Sequence, residues 1–135
     1  MSADGEGGTP SEVERLIALV LSSMLHVELL LLLHRTAPAP WDVARAATEL
    51  KVSPTLVEPA IHDLQRARLA VEVAGTSPQS WRFDPSDDRL LAATAALREL
   101  YDRKPVTLVK ALYRRPPSAA DAFADAFRLR PKGDE

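Results

Sequence analysis

Histidine and carboxylate side chains are the residues of this chain that suit acid-base chemistry or metal binding. The three histidines are His26, His34 and His62. His26 and Glu28 are two positions apart in an apolar stretch, so on a helix they point in different directions and cannot share a metal ion or a proton. The neighbouring residues His62 and Asp63 diverge on a helix for the same reason. The spacing therefore predicts neither a catalytic residue nor a metal site.

Other motifs of enzyme chemistry are also missing. The five glycines form no phosphate-binding loop, and there is no nucleophile elbow. The absence of cysteine excludes disulfides, cysteine-ligated zinc and a thiol nucleophile, and it favours a reducing cytoplasm. We therefore expect a cytoplasmic protein that is not an enzyme and uses no cofactor.

The charge is nearly balanced over the whole chain but is unevenly distributed. The formal net charge is −2, which gives no overall attraction to nucleic acid or to an anionic membrane. The segment 103–115, RKPVTLVKALYRR, carries five basic residues and no acid. An anionic partner is expected to bind there first, although a solvated helix face would have the same composition.

The first 34 residues predict a short leader followed by a long or broken helix. Residues 1–10 are small, polar and rich in glycine, so we interpret them as disordered. Ser11 and Glu14 have the spacing of a capping box at the start of the helix. His26 and Glu28 each cost roughly 2–3 kcal/mol at the centre of a bilayer, so no membrane span is expected. A helix that is apolar nearly all round must be covered by its own domain or by a second copy, which favours a homodimer.

Two further helices and a hairpin follow. TAPAP, residues 36–40, ends the first helix, and WDVARAATELK predicts a second one with Asp42 as a cap. Ser53 and Pro54 are a typical N-cap and first helical residue, and the third helix is predicted to bury an apolar stripe of Val57, Ile61 and Leu64. AVEV and WRFD then alternate apolar and polar residues around the turn cluster GTSPQS, which indicates a two-stranded hairpin.

The rest of the chain predicts three more helices. The first begins at the cap signal of Ser86 and the second at Pro105, and the last has its N-cap at Ser118. The fold class is thus mainly α with a small β-hairpin wing. The domain prediction assigns 11–104 to the main domain with its dimerising helices, 105–130 to a helical extension and 131–135 to a tail.

Residues 24–84 resemble the winged helix-turn-helix superfamily. The resemblance lies in ELLLLLHR, in WDVARAATELKVSPTLVEPAIHDLQRARLAVEV and in SWRFD, which match helix, helix-turn-helix and wing. With its YRRPPSAADAFADAFRLR ending, the whole chain also resembles a group of small uncharacterised proteobacterial winged-helix proteins. The superfamily includes transcriptional regulators and modules that bind only proteins. The resemblance therefore implies a winged-helix fold and leaves both functions open.

The leading hypothesis is a dimeric regulator that binds double-stranded DNA. Glu58 would repel phosphates, and Pro59 inside a helix costs about 3 kcal/mol, so base recognition by the third helix meets two obstacles. The residues predicted to contact DNA are Ser53, Thr55, His62, Gln65, Arg66, Arg82, Lys110, Arg114 and Arg115.

The alternative hypothesis is an adaptor that binds a protein partner and reads no bases. Phe123 and Phe127 are four positions apart and form an apolar stripe that either packs on the same protomer or docks into a partner. The residues predicted to lie in a dimer or partner interface are Leu19, Leu25, Leu29, Leu97, Phe123 and Phe127.

Overall fold

The computed structural model describes residues 9–114. Within this range, helices and short strands alternate in the order α1 (Ser11–Leu19), α2 (Met24–Thr36), β1 (Trp41–Asp42), α3 (Val43–Leu50), α4 (Pro54–Arg66), β2 (Ala70–Val73), β3 (Ser80–Phe83), α5 (Asp88–Arg103) and α6 (Pro105–Arg114). The predicted leader up to residue 8, Arg115, the helix predicted from Ser118 and the tail lie outside the described residues.

The long apolar stretch is broken into α1 and α2, which are bent by 112° relative to each other. Helix α2 begins after Ser23, because the Ser23 hydroxyl caps it by accepting a hydrogen bond from the backbone nitrogen of His26 at 3.3 Å. The predicted capping box at Ser11 is wrong: Pro10 is the N-cap, and its carbonyl accepts from the amides of Val13 and Glu14. Among residues 9–114, no single helix has the length and apolarity of a membrane span, and only the bent pair together reaches that size.

Helix α2 is the centre of the core. Its Leu29, Leu30 and Leu33 are completely buried, and it packs against α4, α5 and β3. This arrangement explains why α2 is apolar nearly all round, since its own domain covers several of its sides.

Helices α3 and α4 form the helix-turn-helix. The Asp42 carboxylate accepts from the Arg45 amide at 2.8 Å and caps α3, as predicted. Ser53 caps α4 and Pro54 is its first residue, also as predicted. The predicted stripe of Val57, Ile61 and Leu64 is buried. Pro59 lies inside α4, so the helix loses one backbone hydrogen bond there.

The wing is a three-stranded antiparallel sheet in the order β1-β3-β2. The sequence pattern predicts the hairpin of β2 and β3 but not β1, because Trp41 fits the apolar spacing of the second helix. Trp41 instead lies opposite Trp81 of β3. Strand β1 therefore forms one edge of the sheet, and α3 begins directly after it.

Helix α5 completes the domain beside α1, and α6 packs against α5. The side chain of Asp87 accepts from the Leu90 amide at 2.9 Å, so the cap of α5 is Asp87 and the prediction of Ser86 is wrong by one residue. Helix α5 packs against α1, α2 and α6. The element order and the small antiparallel sheet make this a mainly helical winged helix-turn-helix fold, in agreement with the sequence prediction.

Candidate nucleic-acid interface

The first two turns of α4 are open to solvent. Thr55, Leu56, Glu58 and Pro59 are all exposed, and 54% of Leu56 is accessible. The hydroxyl of Ser53 accepts from the Thr55 amide at 3.2 Å and lies 2.8 Å from the Thr55 hydroxyl. No acidic residue occupies the first turn. The amino end of α4 therefore combines exposed hydroxyl groups with the positive end of the helix dipole.

The second half of α4 is turned toward the wing. The Trp81 indole nitrogen donates to Oε1 of Gln65 at 2.8 Å, and the His62 ring packs edge-on against Trp81 with 5.3 Å between ring centroids. Trp81 itself is almost completely buried. Gln65 and His62, two predicted DNA contacts, are thus half-buried and hold the wing against the helix. No local sequence pattern indicates this role, since Trp81 is 16 positions from Gln65.

Arg66 belongs to a chain of polar contacts that runs back to α2. Its guanidinium forms an ion pair with Asp63, and the other oxygen of Asp63 lies 2.9 Å from Nε2 of His26. Nδ1 of the same ring lies 2.7 Å from the hydroxyl of Ser23. Sequence reasoning treated these groups as unrelated. Ser23 caps α2 and His26 is buried, so the contacts fix α2 to α4.

The remaining predicted basic contacts lie apart from one another. Arg82 on β3 forms an ion pair with Asp84 at 3.1 Å. Lys110 is exposed on α6, which packs against α5, and Arg114 is the last residue of that helix. The wing turn, residues 74–79, contains no lysine or arginine. Exposed Lys51 in the turn between α3 and α4, which sequence analysis missed, is the basic residue nearest along the chain to the start of α4.

The predicted interface residues divide between surface and core. Leu19 is 57% exposed and Leu25 is half-buried. Leu29 and Leu97 have no exposed surface, so their prediction as interface residues is corrected to a role in the core. Apolar periodicity is the same for a core face and for a contact face, so it cannot distinguish the two. Phe123 and Phe127 lie outside the described residues.

Two titratable groups lie away from α4 and have shifted pKa values. Burial, together with the charge of Arg98, lowers the pKa of His34, whose buried Nδ1 has no hydrogen-bond partner within residues 9–114. Burial and the neighbouring carboxylate of Glu28 raise the pKa of Tyr101, whose hydroxyl donates to Glu28 at 3.4 Å. In the described part of the chain, no three histidine or carboxylate side chains are grouped so as to hold a metal ion.

Comparison with known proteins gives one structural likeness. No protein-family model matches the chain, and no curated protein sequence matches it. A solved structure of a Lactococcus lactis ZitR mutant in its apo form is similar over 84% of this chain and 83% of that chain, with a TM-score of 0.48 and 17% identity. A likeness at this level carries no argument about function.

Proposed function

We propose that the protein is a winged-helix transcriptional regulator that binds double-stranded DNA through the first two turns of α4. The observation that carries this proposal is the division of α4 into two halves. Its amino-terminal half, with Thr55, Leu56 and Glu58, is exposed, whereas Trp81 holds its carboxy-terminal half. Recognition helices of this motif contact base edges with their amino-terminal residues.

The exposed side chains have specific uses in a major groove. The hydroxyl of Thr55 can donate to or accept from a base, Leu56 can contact a thymine methyl group, and Glu58 can accept from a cytosine amino group. Phosphate would bind at the amino end of α4 beside Lys51. This set favours a site that contains cytosine and thymine, and it assigns no base contact to Gln65 or His62.

The oligomer that we propose is a homodimer, which would present two copies of α4 to two half-sites. Leu19 supports it, because this large apolar residue on α1 is exposed in the single chain. Arg114, Arg115, Phe123 and Phe127 belong to this proposal as contacts supplied by the carboxy-terminal part. We also place the protein in the cytoplasm, where DNA is accessible.

The test is fluorescence anisotropy of a labelled mixed-sequence duplex at about 50 and 200 mM salt, the range over which phosphate contacts weaken. Lys51→Gln and Lys104→Gln are matched variants, since each removes one exposed lysine and Lys104 is not among the predicted contacts. We expect Lys51→Gln to weaken binding and to reduce its salt dependence, and Lys104→Gln to leave both unchanged. No binding to any duplex at 50 mM salt would refute the proposal.

A protein-binding adaptor is the second candidate, and exposed Leu56 beside Glu58 and Pro59 favours it. An apolar side chain at the centre of a polar rim is typical of a contact with another protein. Leu56→Ser distinguishes the two functions when crosslinked complexes are compared in cells. An adaptor would lose a protein crosslink that Leu91→Ser, at an exposed leucine of α5, leaves intact.

A further inference from the structure

A cleft between α1, the end of α4 and the start of α5 is separate from the exposed half of α4. Its volume is about 400 Å³, within the range of small-molecule sites. Leu16 and Ala93 are buried at its apolar floor, and Leu19 and Leu90 extend that surface. The cleft is therefore large enough for a small molecule with an apolar body.

Three arginines of this cleft, Arg15, Arg68 and Arg89, come from three different elements. All three are exposed, and none has an ion pair or a side-chain hydrogen bond with another residue of 9–114. Every other arginine whose side chain the structure describes does have a partner. Those six residues are Arg35, Arg45, Arg66, Arg82, Arg98 and Arg103.

The acidic side chains that face the cleft do not neutralise it. They are Glu12 and Asp87, and the Asp87 carboxylate already accepts the Leu90 amide as the cap of α5. Three arginines therefore line the cleft together with one carboxylate that has no such role. This local excess of positive charge contrasts with the net charge of −2 for the whole chain.

Arg68 lies just after the end of α4, in a left-handed backbone conformation. Its φ is 67°, a left-handed conformation that glycine adopts without strain and a long side chain does not. Its carbonyl accepts from the Ser86 amide at 3.0 Å, which fixes this residue next to the start of α5. The same conformation follows α3 at Lys51, and at Arg68 it lets the Leu69 amide donate to the Leu64 carbonyl at 3.0 Å, a common way to end a helix.

We propose that this cleft binds a small organic carboxylate with an apolar body. The guanidinium groups of Arg68 and Arg89 bind the carboxylate, because a guanidinium presents paired donors that match its two oxygens. The apolar body of the ligand lies on Leu16, Leu90 and Ala93. This inference is independent of the proposed binding to DNA.

The test is isothermal titration of the full chain with three probes. 2-Naphthoate combines an apolar body with a carboxylate, 2-naphthamide has the same body without charge, and acetate has the charge without the body. We expect saturable binding of 2-naphthoate and at least about tenfold weaker binding of the other two, as the loss of a charged hydrogen bond requires. Equal binding of 2-naphthamide, or no binding of 2-naphthoate, would overturn the proposal.

Variants of the arginines test whether 2-naphthoate binds in this cleft. Replacing Arg68 and Arg89 together by glutamine is expected to weaken 2-naphthoate binding at least about tenfold. Arg103→Gln, at an exposed arginine paired with Glu99 at 3.1 Å, is the matched control and should bind as the parent does. If the double variant lost affinity for a DNA duplex and kept its affinity for 2-naphthoate, the arginines would be phosphate contacts and the proposal would be wrong.

Arg68→Gly separates binding from folding. Glycine relieves the left-handed strain and removes the guanidinium. We expect the urea midpoint to rise, because glycine suits the left-handed position, while affinity for 2-naphthoate falls at least about fivefold, because the guanidinium is lost. A higher urea midpoint with unchanged affinity for 2-naphthoate would show that Arg68 does not belong to the binding site.

Discussion

The indole nitrogen of Trp81, in the central strand of the wing, donates a hydrogen bond to the side-chain oxygen of Gln65 on α4. The bond joins the wing to the helix that we expect to enter DNA. It also occupies the side-chain oxygen of Gln65. The orientation of α4 therefore depends on a residue of the sheet.

Trp81→Phe tests this dependence. We expect a loss of roughly 1–3 kcal/mol in the free energy of unfolding, because a buried hydrogen bond and part of a buried ring are removed. Urea unfolding measures the loss, and anisotropy should show weaker binding to a duplex. Trp41→Phe is the matched control, since it removes the 2.8 Å indole bond to Thr36, which does not involve α4. Equal effects of both variants on duplex binding would contradict the assignment.

Comparing Asp63→Ala with Arg66→Ala tests which contact of Asp63 stabilises the fold, the one with buried His26 or the exposed ion pair with Arg66. Asp63→Ala leaves Nε2 of buried His26 without its partner, so we expect a loss of about 1–3 kcal/mol in urea unfolding. Arg66→Ala removes only the exposed ion pair with Asp63, and we expect at most about 1 kcal/mol. If Arg66→Ala cost as much as Asp63→Ala, the contact with His26 would not fix α2 to α4.

His34 should make the fold sensitive to acid. Its pKa is lowered in the folded chain, mainly by burial and also by Arg98, while the unfolded chain binds this proton near the ordinary pKa of about 6.5. Between these two pKa values the unfolded chain carries more protons, so the free energy of unfolding falls as the pH is lowered through that range. At pH values below the pKa of His34 in the folded chain, this group causes no further loss in the free energy of unfolding.

The measurement is urea unfolding of the parent and of His34→Leu between pH 5 and pH 8, a range that spans about 1.5 pH units on either side of the ordinary histidine pKa. The variant should lose less stability than the parent on acidification. Identical pH dependence of the two proteins would exclude His34 as the cause.

Pro59→Ala should stabilise the protein. Pro59 is exposed inside α4 and cannot donate a backbone hydrogen bond, whereas alanine restores the donor and the helix propensity. We expect the free energy of unfolding, measured with urea, to rise by about 1–3 kcal/mol. Pro54→Ala is the matched control, because a proline at the first helical position costs nearly nothing there. No gain from Pro59→Ala would show that the helix has adapted to its proline.

Much of the helix-turn-helix could be predicted because its signals are local. The cap at Ser53, the proline that follows it and the buried residues Val57 and Ile61 all lie within one helix. The hairpin of β2 and β3 was likewise visible in its alternation. Such patterns depend on the neighbouring residues alone, and these were confirmed in the structure.

The features that were not predicted depend on distant residues. Strand β1 is two residues long and exists because Trp41 pairs with Trp81, 40 positions later. The half-buried state of His62 and Gln65 follows from the same Trp81. Leu29 and Leu97 needed the packing of α2 and α5 to be recognised as core residues. For the same reason, the cleft of unpaired arginines has no signature along the chain.

The two tryptophans, which lie directly opposite each other in the sheet, also give the protein an optical reporter. These are the only tryptophans of the chain, so its indole emission comes from a single place. Circular dichroism in the far ultraviolet, in contrast, is dominated by the helices. A denaturant titration followed by both signals would therefore reveal whether the wing detaches before the helical body melts, because only coincident curves are compatible with a single cooperative transition.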